Sequence, residues 1–252
     1  MAKLKEFNTT ELPTWCPGCG NYSIIASVKK TLSELNLEPQ NTVLVSGVGC
    51  FAKLPYWIKT NGFVGLHGRS LPVAQGVKLA NPKLTVLAFG GDGDGYGEGG
   101  NHFLHACRRN VDITYIVHNN SVFGLTTGQY SPTSEKGRKS KSSLLGSTEQ
   151  PINPLAIAIA SGATFVARAY AGHTKETVEI LKKAINHKGF AFVDIIQPCP
   201  SYVPEHNQKY FKDKIDYLDE THNSGDKIKS MENALKGGFE EKSVCGIIYQ
   251  EK

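Results

Sequence analysis

Two groups of residues in this sequence have the types and spacing to do chemistry. Thr14-Trp15-Cys16-Pro17-Gly18-Cys19-Gly20 sets two thiols three positions apart. A C-x-x-C turn lets two thiolates grip one metal or one cluster corner, and Gly18 and Gly20 free the backbone to curl round it. The remaining cysteines are Cys50, Cys107, Cys199 and Cys245. In a reducing compartment the pair reads as a metal or redox feature rather than a structural disulfide. Four thiolates suit Zn²⁺ and an iron–sulfur cluster equally, so the thiols alone leave both open.

The second group is Phe89-Gly90-Gly91-Asp92-Gly93-Asp94-Gly95-Tyr96-Gly97-Glu98-Gly99-Gly100. An apolar run that ends in so many glycines brings bare backbone close to a guest at a sheet edge, and a phosphate is the natural guest. Residues 95–100 formally match G-x-G-x-x-G, but a dinucleotide fingerprint begins directly at the strand end. Here Asp92 and Asp94 come first and would repel an unescorted pyrophosphate. A divalent cation between them removes the conflict, because Mg²⁺ takes one or two protein oxygens and fills its other positions with phosphate and water. His118-Asn119-Asn120-Ser121-Val122 follows another apolar run and would bring an amide oxygen to the same edge. One carboxylate, one amide and one backbone carbonyl then suit Mg²⁺ and a diphosphate.

These residues need strands and helices to hold them. Residues 43–45, 85–89, 113–117, 163–166 and 191–196 read as strands, nearly continuously apolar as buried parallel strands are. Residues 22–35 carry Ile24, Ile25, Val28, Leu32 and Leu35 at helical spacing, with Asn21 as the expected cap, and residues 174–186 repeat the pattern. The alternation predicts an α/β fold, a mostly parallel sheet with helices on both faces and ligands at the carboxyl ends of the strands. The division expected is a body over 1–204 and a charged arm over 205–252, in which residues 244–249 return to the body as a strand.

Composition narrows the class. The chain has 252 residues, 40% hydrophobic and 20% charged, enough for one large α/β domain. The net charge of +5 is spread among acids, with no basic run and no aromatic-rich RNA signature, so no nucleic-acid partner is expected. No segment has the apolar length of a membrane span and the first residues lack the apolar core of a signal peptide, so the expectation is a cytoplasmic protein with no membrane contact.

Gly91-Asp92-Gly93 followed by the Asn119-Asn120 pair resembles the thiamine-diphosphate motif G-D-G…N-N. With GVGC, GLHGRS, GGDGDGYGEGG and FGLTTGQYSPTS around it, the chain resembles the beta subunit of the 2-oxoacid:ferredoxin oxidoreductases over about residues 14–204, and CGIIYQ near the end also looks family-like. The resemblance implies a thiamine-diphosphate-binding fold in which Asp92, Asn120 and the Val122 carbonyl hold Mg²⁺. Val48, Gly49, Cys50, His67, Gly91, Gly93, Gly124 and Leu125 would surround thiamine diphosphate. Cys16, Cys19, Cys50 and Cys199 would hold a [4Fe-4S] cluster. Cys50 adjoins Gly47-Val48-Gly49, and a redox centre beside a cofactor loop has a task where a structural zinc has none.

The implied reaction is oxidative decarboxylation of a 2-oxoacid with coenzyme A, giving acyl-CoA and CO₂, with electrons leaving through the cluster to ferredoxin. No glutamate here suits activation of the thiamine aminopyrimidine, so a separate alpha subunit is expected to supply it. The GLTTGQYSPTS loop looks closer to the 2-oxoglutarate branch than to the pyruvate branch. Some relatives carry Lys where this chain has Thr127, so a carboxylate clamp is not assigned there. No catalytic residue is assigned outright; His67 and Lys53 are the candidates, with an ordinary lysine as the alternative at Lys53. Trp15 would shield the cluster, Glu98 would favour a helix N-terminus, and Cys107 and Cys245 read as buried small hydrophobes. A non-oxidative thiamine enzyme half would share the Asp92–Asn120 site without needing four thiolates, and a zinc-stabilised binding module would keep only the thiolates.

Overall fold

The computed structural model describes residues 4–236 and 242–251; the rest of the expected arm, 237–241 and 252, lies outside the described residues. In chain order the elements are α1 (Asn21–Glu34), β1 (Thr42–Ser46), β2 (Asn61–Val64), α2 (Ser70–Ala80), β3 (Thr85–Gly91), α3 (Gly100–Arg109), β4 (Ile113–Asn119) and α4 (Pro154–Ala160). They continue with β5 (Phe165–Tyr170), α5 (Thr174–Asn186), β6 (Phe190–Ile196), α6 (Gln208–Lys212), β7 (Ile215–Tyr217), α7 (Lys227–Leu235) and β8 (Ser243–Gln250). The eight strands form one sheet in the order β2-β1-β3-β4-β6-β5-β8-β7. The first six run parallel, and β8 pairs antiparallel with β5, so the mostly parallel sheet expected from the sequence is present.

Alternate residues of each central strand feed two cores, as the period of a strand requires. Leu44, Leu87, Phe89, Ile116 and Val193 face the side covered by α1 and α5, with Ile24, Val28, Leu32 and Leu181 packed on them. Val43, Val45, Val86, Ala88, Tyr115, Val117 and Phe192 face the other side, with Phe103 of α3 and Leu155 and Ile159 of α4. β1, β4 and β6 are buried along their whole length, which is why they read as unbroken apolar runs rather than alternating ones.

Local details depart from expectation. Gly20, not Asn21, is the N-cap of α1 and makes no side-chain cap bond. Asn21 lies one residue inside, fully buried, and its Oδ1 contacts His118 Nδ1 at 2.6 Å; a buried imidazole takes the side chain that a solvent-facing end would have left for capping. The strand expected at 163–166 begins at Phe165 and runs to Tyr170, because Gly162 and Ala163 close the turn after α4. Glu98 is exposed and ends a π-helical turn, Gly93–Glu98, instead of entering the first turn of α3. The segment after 205 carries α6, β7 and α7 before it returns as β8, elements that the expected charged arm did not include. Cys107 and Cys245 are fully buried.

Candidate functional site

The carboxyl ends of β1, β3 and β4 open into one cavity, as parallel α/β sheets favour. It is walled by Val48–Phe51 after β1, Gly91–Asp94 after β3, and Asn120 with Val122–Thr126 after β4; His67, Asn21, His118 and Gln197 complete it. Every residue expected around the cofactor therefore lies on one wall set: Val48, Gly49, Cys50, His67, Gly91, Asp92, Gly93, Asn120, Gly124 and Leu125. The His67 ring stacks with Phe123, centroids 6.1 Å apart. Lys53 lines a neighbouring cavity instead.

Asp92 is buried, and its Oδ2 accepts from Thr133 Oγ1 at 2.8 Å and from Ser131 Oγ at 2.5 Å. Its Oδ1 accepts a longer bond of 3.5 Å from the Asn120 backbone N–H. Burial pushes the carboxyl up to about 6, with the two hydroxyls and the backbone donors pulling the other way. Asn120 Oδ1 accepts from Val122 N–H at 3.2 Å, a local turn that fixes the amide of Asn120 against the start of the loop after β4. The residues expected to hold a cation are thus in one buried loop cluster, ordered by Ser131 and Thr133, which sequence reading missed because hydroxyls in a loop carry no distinctive spacing.

Asp94 is engaged by the chain itself through one oxygen only, its Oδ2 being buried without a partner. Asp94 Oδ1 accepts from the backbone N–H of Gly68 at 2.7 Å and of Val48 at 3.0 Å. It clasps the loops carrying Gly49 and His67, and a Cβ on Gly47 would lie 2.4 Å from both its oxygens. The glycines after β3 also serve the protein's own packing: a Cβ at Gly90 or Gly95 would fall 2.1 or 2.0 Å from Tyr115 Oη. Bare backbone is required there by a buried ring.

A buried polar network supports the site from below. Asp194, fully buried, accepts from Arg168 Nε (2.9 Å), Tyr96 Oη (2.7 Å) and Asn119 Nδ2 (3.0 Å). Asn119 Oδ1 lies 2.9 Å from Thr133 Oγ1, whose single proton serves either that oxygen or Asp92. Arg138 ties the Ser121 carbonyl to the Tyr202 carbonyl. Neither Arg168 nor Arg138 was legible as a site residue: Arg168 is a lone cation inside an apolar strand, and Arg138 is one of four cations between 136 and 141 with nothing in the sequence to single it out.

The four cysteines expected to act together, Cys16, Cys19, Cys50 and Cys199, line one cavity of about 150 Å³ with Trp15, Lys53, Gln197 and Tyr202. Among the described residues no three His, Cys, Asp or Glu side chains converge on a single ion position. Burial pushes the Cys19 thiol up to about 12 and Cys199 to about 11, and raises Cys50, which the nearby Lys53 partly offsets. Trp15 covers the group: its Nε1 donates to the Cys50 carbonyl at 2.6 Å and its ring packs edge-on against Trp57 and Tyr22. Cys50, Asn120, Gly124, Leu125 and Gln197 border both cavities, so the two share a wall. Thr127 borders neither; it sits exposed at the loop tip at φ 76°, an uncommon conformation for a β-branched residue.

This fold and this loop cluster define a domain that binds thiamine diphosphate. The family of the thiamine pyrophosphate enzyme C-terminal TPP binding domain matches residues 41–195, and the family of the C-terminal part of the pyruvate ferredoxin oxidoreductase beta chain matches residues 199–252. The chain belongs to the beta subunits of the 2-oxoacid:ferredoxin oxidoreductases. It is 46% identical to the 2-oxoacid:ferredoxin oxidoreductase beta subunit of Saccharolobus solfataricus, over 100% of this chain and 85% of that one. It is 40% identical to the 2-oxoglutarate synthase subunit KorB of Methanocaldococcus jannaschii, over 93% and 88%. Among solved structures it is similar to the 2-oxoglutarate:ferredoxin oxidoreductase from Magnetococcus marinus with 2-oxoglutarate, coenzyme A and succinyl-CoA bound, at a TM-score of 0.96 and 37% identity, covering 100% of this chain and 86% of that chain. Among the described residues no helix is long and apolar enough to cross a membrane.

Proposed function

We propose that this protein holds the diphosphate half of thiamine diphosphate through Mg²⁺ on Asp92, Asn120 and the Val122 carbonyl, and a [4Fe-4S] cluster on Cys16, Cys19, Cys50 and Cys199. The observation that carries this reading is the shared wall: Cys50, Asn120, Gly124, Leu125 and Gln197 border both cavities. A purely structural metal would gain nothing from that placement. All four cysteines line one cavity of about 150 Å³, which supports their acting on one group.

When bound, thiamine diphosphate supplies an electron sink for decarboxylation and the cluster supplies a one-electron acceptor. The chain's own work is to position and to exclude water. Ser131 and Thr133 orient the Asp92 carboxylate, Asp94 fixes the Val48 and Gly68 backbone, and Phe51 and Phe123 line the apolar part of the cavity. Trp15, braced edge-on by Trp57, screens the thiols. The substrate is read as 2-oxoglutarate with coenzyme A, on the names of the similar proteins and of the similar structure. Ferredoxin takes the electrons, and the enzyme, completed by an alpha subunit, works in the reducing cytoplasm.

Anaerobic purification of the alpha–beta complex tests this. The expected protein is brown, carries iron and sulfide, and has a broad visible band that dithionite bleaches. With 2-oxoglutarate, coenzyme A and a viologen dye it should form acyl-CoA. A colourless protein holding zinc would sink the cluster reading, and turnover with pyruvate alone would sink the substrate reading.

A further inference from the structure

The two cavities meet at a side chain that no proposed ligand set uses. Gln197 follows β6, is 1% exposed, and donates its backbone N–H to the Asn119 carbonyl at 2.8 Å, tying the end of β6 to the end of β4. Its side chain crosses directly over Gly20, where a Cβ would lie 2.6 Å from Gln197 Cγ. The glycine after Cys19 is therefore what admits this side chain to the thiols. Beyond that crossing, Gln197 Nε2 lies 3.5 Å from Cys19 Sγ. Its Oε1 is turned to the His118 ring, which bonds to it on the cofactor-cavity side, and Asn21 Nδ2 there has no partner.

We propose that Gln197 sets the reduction potential of the metal group bound through Cys19, by donating an N–H···S hydrogen bond to its ligating sulfur. This rests on the reading that the four cysteines hold a [4Fe-4S] cluster. A ligating thiolate can accept but not donate, so the amide nitrogen faces the sulfur and the oxygen faces away. One-electron reduction places added negative charge partly on the ligating sulfurs. A donor aimed at one of them stabilises the reduced form more than the oxidised form and raises the potential. The cluster then takes electrons from the adjoining cofactor cavity more readily than the same four thiolates would without this donor. Gln197 is a positioning residue here, acting through Cys19 and not on substrate.

The test is a redox titration of the anaerobic alpha–beta holoenzyme, followed by visible absorbance and EPR. Gln197→Met keeps the length of the side chain and removes the N–H; its midpoint should fall by about a tenfold change in the one-electron equilibrium, ~59 mV. Gln197→Glu turns a carboxylate oxygen to the sulfur and should lower it further. A Met variant with full iron and an unmoved midpoint overturns the proposal. If that variant loses its cluster, the wild type decides: with ¹⁵N-labelled glutamine amides, pulsed EPR of the reduced enzyme should show a nitrogen coupling, and its absence also overturns the proposal. A wild type that is colourless and holds zinc removes the cluster reading itself, which the variants cannot do.

Discussion

Asp92 works against its surroundings. Burial raises its carboxyl from 3.8 to about 6 although Ser131 and Thr133 donate to it. Between those values the native state binds more protons than the unfolded chain, so stability falls as pH rises through the window and the full penalty stands above about pH 6. Two pKa units correspond to a penalty on the order of 3 kcal/mol. The cofactor-free protein should therefore gain thermal stability on going from neutral pH to pH ~5, and Asp92→Asn should lose most of that gain while being more stable than wild type at neutral pH. The same variant should lose the stabilisation that thiamine diphosphate with Mg²⁺ confers. Calorimetric melting with and without cofactor measures both effects. A variant that melts below wild type at neutral pH without cofactor would contradict the argument.

At the scale of elements, the turn from β3 into α3 is built around Tyr115. The π-helical turn over Gly93–Glu98 and the end of β3 both press bare backbone against this buried ring. Gly95→Ala should cost about 1–3 kcal/mol by overpacking, because its Cβ would sit 2.0 Å from the hydroxyl oxygen and 3.2 Å from Cζ. Removing that oxygen with Tyr115→Phe should restore part of the loss, and denaturant unfolding of the single and double variants reads the coupling. The strand pattern of β1, β3, β4 and β6 was legible because full burial demands unbroken apolar runs. β2 was not, since all four of its residues are exposed at a sheet edge and Asn61-Gly62-Phe63-Val64 has no period to read. β7 was missed for a similar reason: its three residues, Ile215-Asp216-Tyr217, owe their extended form to pairing with β8, a partner distant in sequence.

At the scale of the molecule, the proposed function divides the active site between this chain and an alpha subunit. Among the described residues lining the cofactor cavity none is a glutamate, and exposed Val48 and Leu125 stand at its wall. The alpha subunit is expected to cover these residues and supply the missing acid. The isolated chain should therefore bind thiamine diphosphate yet leave proton exchange at the cofactor's C2 near its rate in free solution. Adding the alpha subunit should accelerate that exchange by roughly 10²–10⁴-fold, the usual worth of a positioned acid–base group. Deuterium exchange followed by NMR checks this, and fast exchange in the isolated chain would refute the division of labour.

Residue types and local spacing by themselves determined the cysteine pair, the Asp92 loop, the Asn119-Asn120 pair, the buried parallel strands and the family, because each is written in a contiguous stretch. Tertiary structure decided what those stretches do together. Asp94 became a clasp on two loops because Val48 and Gly68 present their N–H groups where β1 ends. Ser131 and Thr133 became the partners of Asp92, and Arg168 the counterion of Asp194, to which Asn119 also donates, because the sheet order brings β3, β4, β6 and β5 side by side. Gln197 came to lie between thiols and cofactor cavity only through the crossing over Gly20. Such contacts join residues far apart along the chain, and their energies depend on burial and distance, which no local pattern encodes.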